Sequence, residues 1–140
     1  MECLERKRTV QLSKFTDYSF RALIYLAQNR DKLCTVEELA RNLQASEHHM
    51  KKIIHKLATT DYVESVKGRA GGLYLGMDPE EINLGDILQL TEDNLNIFPC
   101  FHTEETCPFM TTECKLRAIS KTALKNFMDE FSKHTLRDVL

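Results

Sequence analysis

Three cysteines, Cys100, Cys107 and Cys114, fall within fifteen residues at a C-x6-C-x6-C spacing, and they are the residues here best suited to chemistry. Thiolates are soft ligands that match the iron of iron–sulfur clusters. A loop with three of them can wrap one cluster if it bends, and Pro99 and Pro108 favour bends. Cys114 is expected in the first turn of a helix, where backbone amides favour an anionic sulfur. Zinc usually draws ligands in close C-x2-4-C pairs, which this sequence does not have. A disulfide among the three would leave an odd cysteine, and the total of five is itself odd. Three thiolates plus one different ligand fit the count. On residue type alone that fourth ligand is open among Cys3, Cys34, His102, His134 and a carboxylate.

The elements that must position these groups can be read from periodicity. Residues 1–12 read as a flexible polar arm. Thr16 is expected to cap a helix from Asp17 to about Asn29, with Phe20, Leu23, Ile24 and Ala27 on one apolar stripe. Thr35 and Glu38 have capping-box spacing and open a second helix containing Leu39, Ala40 and Leu43. The chain breaks at Gln44 and Ala45, and Ser46 is placed to cap a third helix to about Thr59. A short helix, a tight turn and another helix read as helix-turn-helix. Two β-prone runs follow, Tyr62–Val66 and Leu73–Leu75, joined by a tip with Lys67, Gly68, Arg69, Gly71 and Gly72. Such a hairpin directly after a helix-turn-helix is a wing. A turn over Pro79–Asn83 leads to a short helix, Leu84 to about Thr91, and a long helix is expected from Glu113 to Ser132. The fold class is therefore mainly α with a small β-hairpin wing. Three parts are expected: the arm 1–12, a winged helix-turn-helix over 13–78, and a cluster-binding loop with a dimerisation helix over 79–140.

On a helical wheel, Met50, Ile53, Ile54 and Leu57 of the third helix share one side, which belongs to the core. His48, Lys52 and His55 lie opposite, flanked by Lys51, and make the polar, partly basic face that a major groove requires. Arg69 at the hairpin tip is suited to a minor groove, with bare glycine backbone around it for close approach. The candidate DNA-contacting set is Ser46, His48, His49, Lys51, Lys52 and His55 on the helix, with Lys67, Arg69 and Gly71 on the wing. The long helix carries Leu116, Ile119, Ala123, Leu124, Phe127, Met128 and Phe131 on a wide stripe. At 1.5 Å per residue it spans roughly 30 Å, more apolar length than one small domain can cover, so a second copy of the chain is expected. A two-fold homodimer calls for a near-palindromic site on double-stranded DNA.

Charge agrees with this division of labour. Residues 1–76 hold 13 Lys/Arg against 9 Asp/Glu, and residues 77–140 hold 6 against 12. Only the first part is suited to face a polyanion. No apolar run reaches membrane-span length, and no secretory signal follows the basic start, so the cytoplasm is the expected location and no membrane partner is expected. No nucleophile–base arrangement or phosphate loop points to an enzyme. An iron–sulfur electron carrier would have no use for a groove-reading hairpin.

The ordered marks Phe15-Thr-Asp-Tyr18, Arg21-Ala-Leu-Ile-Tyr-Leu26, His49-Met50, Lys52-Ile-Ile54, Leu57, Lys67-Gly-Arg-Ala-Gly-Gly72, Leu75-Gly76 and Ile82-Asn-Leu-Gly-Asp86 resemble the Rrf-type winged-helix regulators. The three cysteines and Ser132–Leu140 extend the likeness, which covers roughly residues 10–140. Within that family the sequence is most similar to the nitric-oxide-sensing repressors. The resemblance implies a repressor of nitric oxide detoxification genes. It implies a [4Fe-4S] cluster on Cys100, Cys107 and Cys114, completed by Asp17 of the other subunit. A redox or iron-sensing regulator with a [2Fe-2S] cluster is the alternative. Another branch of the family places a histidine three residues after the last cysteine. Here that residue is Arg117, which argues against that branch.

Overall fold

The structure is a computed structural model that describes residues 11–93, 95 and 114–140. Cys100 and Cys107 therefore lie outside the described residues, as does most of the expected arm.

Helix α1 spans Lys14–Gln28 and begins three residues before the start expected from sequence. Ser13, not Thr16, is its cap and accepts the Thr16 N–H. Thr16 is fully buried, and its hydroxyl is engaged with Thr91 and Glu92, so it belongs to the interior instead. Thr16, Ser19, Ala22, Leu23 and Leu26 form the buried face, and Asn29 ends the helix by donating its side-chain amide to the Tyr25 carbonyl.

Helix α2 spans Val36–Leu43, capped as expected by the Thr35 hydroxyl on the Glu38 N–H. The Glu38 carboxylate accepts from the Tyr25 hydroxyl at 2.6 Å and from Lys32. Lys32 first, and then Tyr25, hold that carboxyl below the usual carboxylate range. Gln44 ends α2 at φ 57°, a left-handed conformation unusual for a side-chain-bearing residue, and Ala45 N–H closes back on the Ala40 carbonyl. One residue later Ser46 caps helix α3, Glu47–Ala58, by accepting from the His49 N–H at 3.1 Å. Met50, Ile53, Ile54 and Leu57 are its buried residues, the i, i+3, i+4, i+7 set read from the wheel.

Strands β1, Val63–Val66, and β2, Gly72–Leu75, pair antiparallel with Val63 opposite Leu75 and Val66 opposite Gly72. Cys34 extends the hairpin by exchanging both backbone hydrogen bonds with Leu73, at 2.9 and 2.7 Å. Its side chain is fully buried, and burial pushes the thiol up from its ordinary value. Cys34 is thus a core residue with an inert thiol, not an available ligand.

After a 3-10 turn at Pro79–Glu81, Asn83 caps helix α4, Leu84–Thr91, which has the limits expected from sequence. Helix α5 spans Lys115–Ser132. Its cap residue is Cys114, which accordingly precedes the first turn expected to contain it. A last 3-10 turn, Leu136–Val139, follows, with the Thr135 N–H donating to the Asp138 carboxylate. This segment returns to the body of the molecule. The Leu84 N–H donates to the His134 carbonyl, the Leu136 N–H donates to the Ile82 carbonyl, and Leu136 has no exposed surface. One continuous core holds Leu23, Leu26, Leu39, Met50, Ile53 and Leu57 together with Ile82, Ile87 and Leu136. No helix among the described residues is long and apolar enough to cross a membrane.

Candidate DNA-binding and ligand sites

One surface is basic; of the expected ligands, Asp17 lies on α1 beside Phe127 and Phe131, whereas Cys114 stands at the opposite end of α5. The basic surface follows from the burial of the apolar face of α3, which forces the opposite face outward. His48, Lys51, Lys52 and His55 are all exposed, as is the cap Ser46. His49 behaves differently. Its ring is half-buried, edge-on to Tyr18 at 5.7 Å and to Phe15 at 6.2 Å, so the imidazole is packed against α1. The wheel contains the reason, since His49 precedes Ile53 by four residues and shares its side of the helix.

At the hairpin tip, Lys67 and Arg69 are exposed. Gly68 sits at φ 108°, open to L side chains only with strain, and nothing would meet a Cβ there. Gly71 has a different duty: a Cβ on it would run into the Val66 carbonyl oxygen, so it closes the hairpin itself. The tip is held by the Gly71 N–H to Gly68 carbonyl bond at 3.0 Å.

Asp17 lies on the exposed side of the first turn of α1. Its Oδ1 accepts from the Arg21 Nε at 2.9 Å, and the carboxylate holds the guanidinium above its ordinary value. The guanidinium also lies 5.7 Å from the Tyr18 ring centroid, within cation–π range. Tyr18 in turn is the ring that meets His49. A chain of surface contacts therefore runs from Asp17 through Arg21 and Tyr18 to the start of α3.

Cys114 is half-buried at the N-terminus of α5 and makes no side-chain cap hydrogen bond to that helix. That position suits a thiolate ligand. No three His, Cys, Asp or Glu residues that could hold a metal come together among the described residues. Cys114 and Asp17 are the members of the expected ligand set that are described. His134 is exposed and lies between Glu130 at 3.2 Å and Asp138 at 3.4 Å. Arg117 is half-buried, and its Nε is buried with no hydrogen-bond partner among the described residues.

Comparison with known proteins gives a consistent picture. Residues 12–140 match the family model Rrf2, described as an iron-dependent transcriptional regulator. The HTH-type transcriptional regulator NsrR of Bacillus subtilis (strain 168) is 38% identical over 132 residues, covering 94% of this chain and 90% of that protein. The protein of the same name in Halalkalibacterium halodurans matches to the same extent. Among solved structures, T. potens IscR superposes with a TM-score of 0.73 at 22% identity, covering 93% of this chain and 85% of that one, a likeness of fold. With a family match across nearly its whole length, a winged helix-turn-helix build and relatives well above 30% identity, the chain belongs to the Rrf2 family of transcriptional regulators.

Proposed function

We propose that the protein is a homodimeric repressor of nitric oxide detoxification genes that binds near-palindromic DNA and is released from it by nitric oxide. The observation that carries this reading is the path of contacts from Asp17 to the base of α3, with exposed cations on the far side of that helix. Lys51, Lys52, His48 and His55 would face the major groove, with Lys67 and Arg69 reaching the flanking backbone and minor groove. His49 would fix the angle of α3 through Phe15 and Tyr18.

Cys114, with Cys100 and Cys107, would hold a [4Fe-4S] cluster, and Asp17 of the second subunit would complete it. Bound there, the cluster would supply iron reactive toward nitric oxide, with its oxygen-ligated corner the more exchangeable. The Cys114 thiol, half-buried at the start of α5, and the exposed carboxylate of Asp17 have the chemistry of such a donor set. Arg21 would take up Asp17 whenever that carboxylate is free, as it does here at 2.9 Å. A ligand from the other subunit would make dimer geometry depend on the partners of Asp17.

The test titrates nitric oxide into anaerobic protein, wild type against Asp17→Ala, following absorbance and DNA binding together. Wild type is expected to lose its visible bands and its DNA in parallel. Asp17→Ala is expected to retain iron and sulfide partly and to lose the link between the two signals. Wild-type DNA binding that persists through complete nitrosylation would refute the repressor reading. Two irons and two sulfides per chain would replace the [4Fe-4S] assignment with [2Fe-2S].

A further inference from the structure

Glu92 ends α4 and begins the segment that leads to Cys100 and Cys107. Its half-buried carboxylate turns onto the N-terminus of α1. One oxygen, Oε2, takes the Ser13 N–H at 3.1 Å, the Ser13 hydroxyl at 3.2 Å and the Thr16 hydroxyl at 2.6 Å. The Thr91 hydroxyl lies beside it, 2.9 Å from Thr16 Oγ1 and 2.8 Å from the Ile87 carbonyl. Asp17 is the next residue after Thr16. A cavity of about 280 Å³ adjoins the junction, lined by Ser13, Phe15, Lys56, Thr91, Glu92 and Asp93, so the last turn of α3 borders it too.

We propose that Glu92 is a positioning residue that ties the end of α4, from which the chain runs on to Cys100, to the helix carrying Asp17, so that a shift of that end resets α1 and, through it, α3. The inference rests on the ligand set proposed above. Because three donors converge on a single oxygen, reach decides more than charge. Glutamine offers a carbonyl oxygen at the same reach, whereas aspartate keeps the charge and falls one methylene short.

The experiment compares DNA affinity of cluster-loaded and cluster-free protein in wild type, Glu92→Ala, Glu92→Asp and Glu92→Gln. Thr35→Ala serves as a control that loses a helix cap elsewhere. The loaded-to-free affinity ratio is expected to fall about fivefold or more in Glu92→Ala and Glu92→Asp, and to stay within about twofold of wild type in Glu92→Gln and Thr35→Ala. Iron and sulfide content is expected to hold in all. In cluster-free protein, amides of residues 16–18 are expected to exchange about tenfold faster in Glu92→Ala, with those of α2 unchanged. A wild-type ratio in both Glu92→Ala and Glu92→Asp would overturn the coupling, even with faster exchange, since Glu92 would then be only a cap. If Glu92→Ala does not fold, Glu92→Asp against Glu92→Gln decides alone: equal ratios overturn the coupling. Wild-type protein whose affinity ignores the cluster would overturn the ligand-set reading and the coupling together, an outcome distinct from loss of the coupling alone.

Discussion

Helices α4 and α5 both carry apolar stripes, and the chain treats them in opposite ways. α4 is eight residues long, and Leu84, Gly85, Ile87, Leu88 and Thr91 are buried within it. α5 is eighteen residues long, and Ser120 is its one buried residue. Leu116 is 58% exposed and Ile119 66%, while Phe131 at the far end reaches Phe20 with a centroid separation of 6.3 Å. The stripe of α4 is satisfied by its own chain. The stripe of α5 is anchored at one end and bare at the other, which is the pattern expected of an element completed by a second copy. An apolar periodicity in a sequence thus specifies that a face must be covered, and leaves open by which chain.

The contrast can be broken most directly at the bare end. Leu116→Glu with Ile119→Glu is expected to weaken self-association by roughly 3 kcal/mol or more, over a hundredfold in dissociation constant, since each covered side chain is worth roughly 1.5–3 kcal/mol. Sedimentation over a concentration series reads this, and urea unfolding of the monomer is expected to change little. Unaltered association would show that α5 is simply a solvated helix. The self-contained side is tested by Leu136→Ala, expected to cost about 2–5 kcal/mol in denaturant unfolding because the site is fully enclosed. Val139→Ala, at a residue 46% exposed, is expected to stay within about 0.5 kcal/mol. Equal losses at the two positions would contradict the docking of that segment.

The smallest effect sharpens the electrostatics of the self-contained side. Lys32 and Tyr25 keep Glu38 below the usual carboxylate range in the folded chain. A carboxylate lowered on folding contributes stability that is complete above its unfolded value and is lost as pH falls through the lowered folded value. Stability of wild type is therefore expected to fall more steeply than that of Glu38→Gln as the solution is acidified from about pH 5 to pH 3. Lys32 is nearly half exposed, so solvent screening keeps the difference small. Parallel acid limbs for the two proteins would remove Glu38 from the account.

The parts legible in the sequence were those set by local rules. Caps at Thr35 and Ser46 lie within one turn of their donors, and the apolar pattern marked the buried face of α3 and the limits of α4, whereas the cap at Asn83 was read only as part of a turn. At the start of α1, Ser13 offers a local cap like those of Thr35 and Ser46, but Thr16 has the same residue type, and only its contacts with Thr91 and Glu92, far along the chain, show it to be an interior hydroxyl. His49 stands in the candidate contact set by residue type, although the wheel puts it on the side of Ile53. Its aromatic neighbours belong to α1, and no local pattern places Tyr18 against it. Of the candidate ligands, Cys34 was separable only by burial, which comes from its pairing with Leu73 across the hairpin. The Asp17 assignment came from family likeness alone, because an i, i+4 pair with Arg21 looks like ordinary helix surface.

The docking of Leu136 also has a consequence for synthesis. A ribosome releases the helix-turn-helix and its wing well before α5, yet the core of that reading head stays open until Leu136 emerges behind α5. Domains generally fold as units while the chain is being made. The last side chain of that core is therefore supplied only after α5 has been made, so a chain cut short before Leu136 is expected to lack one buried leucine and the Leu136–Ile82 backbone bond.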